Sequence, residues 1–568
     1  VAVALVLVLV AYSNGLGGAF VFDDIPLVRD APHVRSLSSV GPMLALMAED
    51  QGHGYRPVRT LSHMLEHRIF GLRPFGYHTT NVLLHALTCI LLFFLARRLG
   101  LSPAASMASM ALFAVHPVHT EAVTYISGRR DLLFSLFLVA GMLAYVRGVQ
   151  ERSRLLVLAA LPLYLLGVFS KEQGITLPAV LYLWEVLVNR SQDPWPRRLV
   201  SPLLAQPAFW AAIWAGAGAF FLYRGVLLPR TFHPGWWGGS ASANFATVLA
   251  VHVRYLAVQL WPVDLLADYS PHAFRIADGF RDGRALLGLG ILASSLALAA
   301  YTLRRYPLVA LAIVTYWILL LPVSHLIPHH ELAAEHQVYL PSGCLCLLAG
   351  AGVALLERRR TWAGAGLLVL AAVLMTGLTI SRNRVWHDGE ALWSDTVARA
   401  PRCGRALLNL GLVYFESGEL ERAEPLLRRS IGARDLPRAH ATLGNVLSKK
   451  GRYQEAHATL AAAYRRFPSD PHVIRFHALN LLRTERAAEA LGVLEKGVGL
   501  WPSDPELRYL LGGCYLAAGR PGDALEQNLL VLSLAPDHED GRRIAVKLAR
   551  HLGRTGLARK LEDGWSPE

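Results

Sequence analysis

The segments Leu408–Leu427, LNLGLVYFESGELERAEPLL, and Ala441–Leu460, ATLGNVLSKKGRYQEAHATL, align without a gap at an offset of 33 residues. Gly411 falls on Gly444 and Gly418 on Gly451, each 33 apart, while Ala456, Ala490 and Ala524 follow at intervals of 34. Pro468, Pro502 and Pro536 keep the interval of 34, and the first two open the same tripeptide, Pro-Ser-Asp. A unit of this length cannot bury its own apolar face. Helical hairpins stacked on one another are what such a period predicts.

The leucine-glycine pair, the turn glycine and the small alanine where paired helices meet form the tetratricopeptide (TPR) pattern. Four repeats are expected over 405–540, with a capping helix and tail over 541–568. The third repeat departs from the pattern, with Ala478 in place of the helix glycine and Glu485 in place of the turn glycine. Such an array presents a concave surface that binds extended or helical peptide, the alternative being a structural spacer. No residue pattern in the repeats suggests catalysis.

Upstream of the repeats the composition changes. The 568 residues are 53% hydrophobic and 17% charged, with a net charge of +14. Mean hydropathy is +0.34. Charged residues number 47 in the first 380 positions and 51 in the last 188. The second block has the charge density of a soluble domain and the first does not. A single soluble core is excluded. So is a disulfide scaffold, because the five cysteines are scattered and include no CxxC pair.

Apolar runs of membrane-spanning character occur at 77–96, 104–116, 131–147, 155–170, 174–189, 205–222, 284–302, 307–322, 338–356 and 361–380. Residues 1–12 read as the end of a further span at a truncated start rather than a cleavable signal. The stretch 245–262 carries His252 and Arg254, and a mid-bilayer arginine costs ~2.5 kcal/mol or more. Placing it at the interface or re-entrant leaves five basic loops on one side, from Arg97-Arg98 to Arg358-Arg359-Arg360. That is the pattern of a cytoplasmic face. The expected fold is therefore all-α: a membrane bundle of eleven spans over 1–380, a linker over 381–404 and an α-solenoid. The N-terminus is expected inside and the repeats outside. The positive charge then reads as membrane anchoring, with no nucleic-acid partner.

Loops 13–76, 116–131, 170–174, 223–283 and 323–337 share the outer face in this topology and hold most of the unusual polar residues. Asp23-Asp24 follows the first span, and in a dry pocket one of the two could act as a general base. A helix cap is the competing reading. Arg56, Arg129, Arg130 and Lys171 are candidate ligands for a lipid phosphate. Lys171 is the sole lysine of the first 380 residues and stands beside Glu172. His116, His119, Glu121, Glu172, His325, Glu335 and His336 are expected to line the same polar region, and the loop 323–337 also carries His329, His330 and Glu331. Their spacing matches no metal site, so neither metal nor cofactor is expected. Asn81 and His85 sit on one face of a span and read as packing contacts.

The segments FVFDDIPLV, YRPVRTLSH, HTTNVLLHAL, FAVHPVHTEAVTYISGRRDLL, SKEQGITLP, LWPVDLLADYS, EHQVYLPS and RNRVWHDGEALWSD, followed by the repeats, resemble the transmembrane-and-TPR O-mannosyltransferase family. The resemblance runs in order along nearly the whole chain. It implies a polytopic glycosyltransferase of the GT-C fold that takes a hexose, mannose above all, from a polyprenyl-phosphate carrier. The acceptor it implies is a Ser/Thr hydroxyl of a protein on the lumenal or periplasmic face. The acidic motif of the first outer loop falls on Asp23 and Asp24, and the resemblance favours Asp23 as the base. A glycan acceptor and a non-catalytic scaffold are the alternatives. The arginine-rich, lysine-poor composition favours a bacterial inner membrane over the endoplasmic reticulum.

Overall fold

A computed structural model describes residues 1–35, 40, 41, 56–227, 235–326, 331–357 and 361–565. The chain divides into two units, Val1–Asp395 and Thr396–Glu568. Among the described residues both are helical, the one bridge pairing Pro271 with Phe274.

The first unit contains α1 (Ala2–Tyr12), α2 (Pro57–Phe70), α3 (Pro74–Arg98), α4 (Pro103–Val115), α5 (Arg129–Gln150), α6 (Arg154–Ser170) and α7 (Leu177–Trp184). It continues with α8 (Trp195–Ala205), α9 (Pro207–Leu227), α10 (Ala241–Leu260), α11 (Gly283–Thr302), α12 (Pro307–Leu320), α13 (Tyr339–Glu357) and α14 (Thr361–Val385). Serine hydroxyls start three of these helices: Ser102, Ser153 and Ser240 accept from the amides of Ala105, Leu156 and Ala243. Five segments are long and apolar enough to span a bilayer: Pro74–Arg98, Ile126–Gln150, Ala241–Leu260, Gly283–Thr302 and Gly364–Val385. The chain is a multi-pass membrane protein.

Three expectations about the spans change. The stretch set apart at 245–262 lies in α10, a continuous helix of 20 residues. Its polar groups are satisfied within the protein. Arg254 reaches the carbonyl of Asp264 just past the helix end, and His252 Nε2 lies 3.1 Å from Ser324 Oγ. The cost that argued against a span is thereby met. The run 174–189 is not one regular helix, because tight and wide turns over Glu172–Thr176 and Glu185–Asn189 flank α7. The run 205–222 is the second arm of a helix pair, α8 and α9, bent by 87°.

Polar side chains pin the bundle where apolar contact alone would let helices slide. Asn383 on α14 donates to the carbonyl of Ala11 on α1 and accepts from Thr124 Oγ1, both at 2.8 Å. His85 on α3 donates from Nε2 to the Ala114 carbonyl at 3.1 Å and accepts the Tyr339 hydroxyl at Nδ1 at 2.7 Å. Helices α4 and α13 touch through Gly350, where a Cβ would stand 2.2 Å from Ser109 Oγ.

A further pin is Arg129, wholly buried in the first turn of α5. Its Nε donates to Asn81 Oδ1 at 2.6 Å, and its Nη2 donates to Glu66 Oε1 at 2.7 Å and to the Tyr77 carbonyl at 3.0 Å. Burial would raise the Glu66 carboxyl, but Arg129 and His63 beside it hold it down at about 2. The pair ties α2 to α3 and α5, the elements that carry the candidate site.

The second unit contains four hairpins, α16 to α23. They are Gly404–Glu416 with Leu420–Ala433, Pro437–Lys449 with Tyr453–Arg466, Pro471–Arg483 with Ala487–Leu500, and Pro505–Ala517 with Pro521–Leu534. The helix α15 (Gly389–Arg399) crosses the boundary between the units. The segment expected to form one capping helix is a fifth pair, α24 (Glu539–His551) and α25 (Thr555–Glu562), separated at Gly553 with φ +72°. Turn residues Gly418, Gly451 and Gly519 have φ of +83°, +76° and +71°, and Glu485 holds the same place at +60°. The irregular third repeat thus keeps the turn and accepts its strain.

Replacing Glu485 with glycine is expected to stabilise the repeats by about 1 kcal/mol, the cost of a left-handed side-chain residue. Amide-exchange protection of Pro471–Leu500 in the full chain measures this, and unchanged or lower protection refutes it. Glu66→Gln is expected to destabilise the first unit by ~3–5 kcal/mol, since Arg129 then stays buried without a counter-charge. The folded carboxyl lies below its ordinary value. Its stabilisation is therefore present above about pH 4.5 and lost as pH falls toward 2, which an acid-melting series of wild type against Glu66→Gln resolves.

Candidate active site

After α1 the chain turns back on itself, and Phe22 adopts φ +51°, a left-handed conformation strained for an aromatic residue. The two aspartates that follow are placed differently. Asp24 is fully buried. Its Oδ1 accepts from the Ser127 amide at 2.7 Å and the Ser127 hydroxyl at 2.6 Å, and its Oδ2 accepts from the Val21 amide at 3.2 Å. Burial pushes its carboxyl up to about 7, and the three donated hydrogen bonds pull against that rise. Asp23 is half-buried, and its carboxylate makes no hydrogen bond or ion pair among the described residues. Its amide donates to the Tyr125 hydroxyl at 3.1 Å. Aromatic rings back this turn: Tyr125 lies 5.1 Å from Trp386, and Phe22 meets Trp393 edge-on at 5.1 Å.

Cations and carboxylates from four sequence regions meet beside Asp23. Lys171 Nζ binds Asp131 Oδ1 at 2.5 Å, and Arg130 Nε lies 3.4 Å from Asp131 Oδ2. Arg130 Nη2 is 3.2 Å from His336 Nε2, while His336 Nδ1 is 2.7 Å from Glu121 Oε1. Those partners fix the imidazole: Nδ1–H donates to Glu121 and Nε2 accepts from Arg130. Arg56 donates to both oxygens of Glu172 at 3.2 Å. Arg130 also feels the charges of Glu331 and Asp23.

The sequence-derived candidates therefore separate into groups. Asp23, Arg56, Glu121, Arg130, Lys171, Glu172 and His336 come together. Arg129 faces the opposite way and its donors are taken by Glu66, Asn81 and the Tyr77 carbonyl. The ring nitrogens of His116 serve the backbone, with Nε2 donating to the Gln259 carbonyl at 2.8 Å and Nδ1 accepting the Val118 amide at 3.2 Å. His119 Nδ1 donates to the Phe113 carbonyl at 2.9 Å and Nε2 pairs with Ser342 Oγ at 2.7 Å. His325 Nε2 donates to the Leu332 carbonyl at 2.8 Å. His329, His330 and Tyr55 lie outside the described residues.

Glu335 anchors a neighbouring network. Its Oε1 accepts the Leu266 amide at 2.5 Å and the Tyr269 hydroxyl at 2.8 Å, and Arg382 lies 3.8 Å from Oε2. Burial pushes the Glu335 carboxyl up to about 7, against the pull of Arg382. Arg382 is held in turn by Asp395 at 2.9 Å. Asp131 and Arg59 belong to the charged cluster and were not singled out in the sequence. Asp131 was visible as the acid closing the Gly-Arg-Arg-Asp run, and Arg59 as the second arginine of YRPVRTLSH, three residues from the first.

Residues 57–217 match a family described as dolichyl-phosphate-mannose-protein mannosyltransferase. Residues 375–436 and 481–548 match tetratricopeptide repeat families. Protein O-mannosyl-transferase Tmtc3 of Drosophila melanogaster is 28% identical over 549 residues, covering 83% of this chain and 59% of the relative. Protein O-mannosyl-transferase TMTC3 of Mus musculus is 25% identical over 602 residues, covering 93% of this chain and 63% of the relative. The chain thus spans about three-fifths of the length of the curated relatives it matches. The solved TPR protein YrrB is 22% identical, covers 30% of this chain and 89% of its own, and has a TM-score of 0.25. In matching a mannosyltransferase family within its membrane block and TPR families after it, the chain is similar to these protein O-mannosyl-transferases.

Proposed function

We propose that the protein is an integral-membrane O-mannosyltransferase. It moves mannose from a polyprenyl-phosphate carrier to a Ser/Thr hydroxyl of a polypeptide that the repeats bind. The observation that carries this reading is a half-buried Asp23 carboxylate with no hydrogen bond or ion pair among the described residues, within electrostatic reach of Arg59 and Arg130.

Asp23 takes the proton of the acceptor hydroxyl as its oxygen attacks C1 of the sugar. The bond from C1 to the phosphate oxygen breaks with its electron pair on the phosphate, and a single displacement inverts C1. Arg56 and Arg130 stabilise the developing negative charge, each keeping one carboxylate partner and having further donors to offer. Lys171 and Asp131 neutralise one another and fix Arg130. Arg129 takes no part in donor contact in this reading, since its donors are taken inside the bundle. Asp24 positions rather than reacts, because both of its oxygens already accept hydrogen bonds. No metal or cofactor enters the scheme. The site face is assigned to the periplasmic side of a bacterial inner membrane.

Asp23→Asn is expected to lower transfer by ~10²–10⁴-fold while leaving the melting temperature unchanged. Asp24→Asn is expected to cost ~1–3 kcal/mol, since its new amide group would face the donors of Ser127 or Val21. Radiolabelled transfer from polyprenyl-phosphate mannose to membrane proteins measures the first, and thermal unfolding the second. Wild-type transfer by Asp23→Asn would exclude Asp23 as the base.

A further inference from the structure

One cation in this cluster has no ion-pair partner among the described residues. Arg59 lies in the first turn of α2 and is 5% exposed. Its Nε and Nη1 are buried without a hydrogen-bond partner among the described residues. Its Nη2 meets only Thr60 Oγ1, at 3.5 Å. Each neighbouring cation has a carboxylate partner: Arg56 has Glu172 at 3.2 Å, Arg129 has Glu66 at 2.7 Å, and Lys171 and Arg130 share Asp131 at 2.5 and 3.4 Å.

Three features make the position costly. Burial opposes the charge and lowers the guanidinium pKa to about 9, with Arg56 and Arg130 adding repulsion. The start of a helix is the wrong end for a cation. The Asp23 and Glu172 carboxylates act on Arg59 only from a distance. A buried guanidinium with unmet donors, set among other cations at a helix N-terminus, is complementary to an anion that is not part of the chain.

We propose that Arg59 is the principal phosphate ligand of this site, holding the phosphate of the lipid donor through its two unpartnered nitrogens. The inference rests on the donor being a polyprenyl-phosphate sugar. The phosphodiester carries one negative charge. When the C1–oxygen bond breaks, the electron pair stays on the phosphate oxygen and the acceptor proton resides on Asp23, so the phosphate gains a second charge. Among the described residues Arg59 is the one cation of the cluster with no carboxylate partner, and its charge is available to meet that increase.

The test uses the full chain in lipid nanodiscs, with Arg59→Gln and Arg59→Lys variants. Three probes are titrated by thermal shift: a polyprenyl monophosphate, inorganic phosphate, and the polyprenol without phosphate. Wild type is expected to be stabilised by the monophosphate, weakly by inorganic phosphate and not by the polyprenol. Arg59→Gln should lose about tenfold or more in monophosphate affinity, and Arg59→Lys should recover part of it. Without ligand, Arg59→Gln should melt at or above the wild-type temperature, because an uncompensated buried charge has been removed. Wild-type monophosphate affinity in Arg59→Gln, or a clear fall in its ligand-free melting temperature, would overturn the role of Arg59 alone. If wild type binds no phosphate-bearing probe, the lipid-phosphate reading of the site fails as well. Inorganic phosphate binding as tightly as the lipid would replace the donor by a free phosphate.

Discussion

Asp131 is the interaction on which the site depends. Its carboxylate is wholly buried, and it holds Lys171 on one oxygen and Arg130 on the other. None of the three is buried alone, since an unpaired charge in a low-dielectric interior is costly. Arg130 then fixes the tautomer of His336, and His336 is held by Glu121 through both its ring and its amide. Loops separated by more than a hundred residues are thus joined by charge neutrality rather than apolar contact. The sole lysine of the first 380 residues finds its reason here.

Much of this was legible as residue type and place. Charged residues in short loops between apolar runs marked Glu121, Arg130, Lys171, Glu172 and His336, because the bilayer excludes such groups unless they have partners. Which partner each one takes was not legible. Arg129 and Arg130 are adjacent, yet a helix turns about 100° per residue, so one reaches Glu66 and the other His336. His116 and His119 were expected to line the polar region, but their ring nitrogens are turned to backbone groups and a serine, partners that no residue pattern reveals. Arg59 was hidden by its own motif, where Arg56 drew the attention.

The repeats were legible nearly in full, because a period states its architecture directly. Their irregular member is informative for the same reason. The third hairpin carries Glu485 in a left-handed turn and buries Asn480 with neither side-chain amide atom hydrogen-bonded among the described residues. His477 is also buried there, stacked on His457 at 5.7 Å. Each feature costs stability that the other hairpins keep. The third hairpin is therefore the one expected to open first.

The aspartate pair resolves a question that composition leaves open, namely why two acids stand together next to a membrane span. Consecutive side chains leave the backbone in different directions, so one carboxylate can be spent inward while the other stays outward. Asp24 is the inward one, and what it grips is Ser127, two residues before the helix that presents Arg129, Arg130 and Asp131. The proposed base and Arg130 are therefore held to a common rigid segment by a single buried carboxylate. A displacement reaction needs the base and the leaving-group ligands at a fixed separation across the sugar, since small misplacements cost large factors in rate. The strained backbone at Phe22 follows from the same demand: the turn must place Asp24 against Ser127 while leaving Asp23 half-open, and a relaxed backbone there would move both.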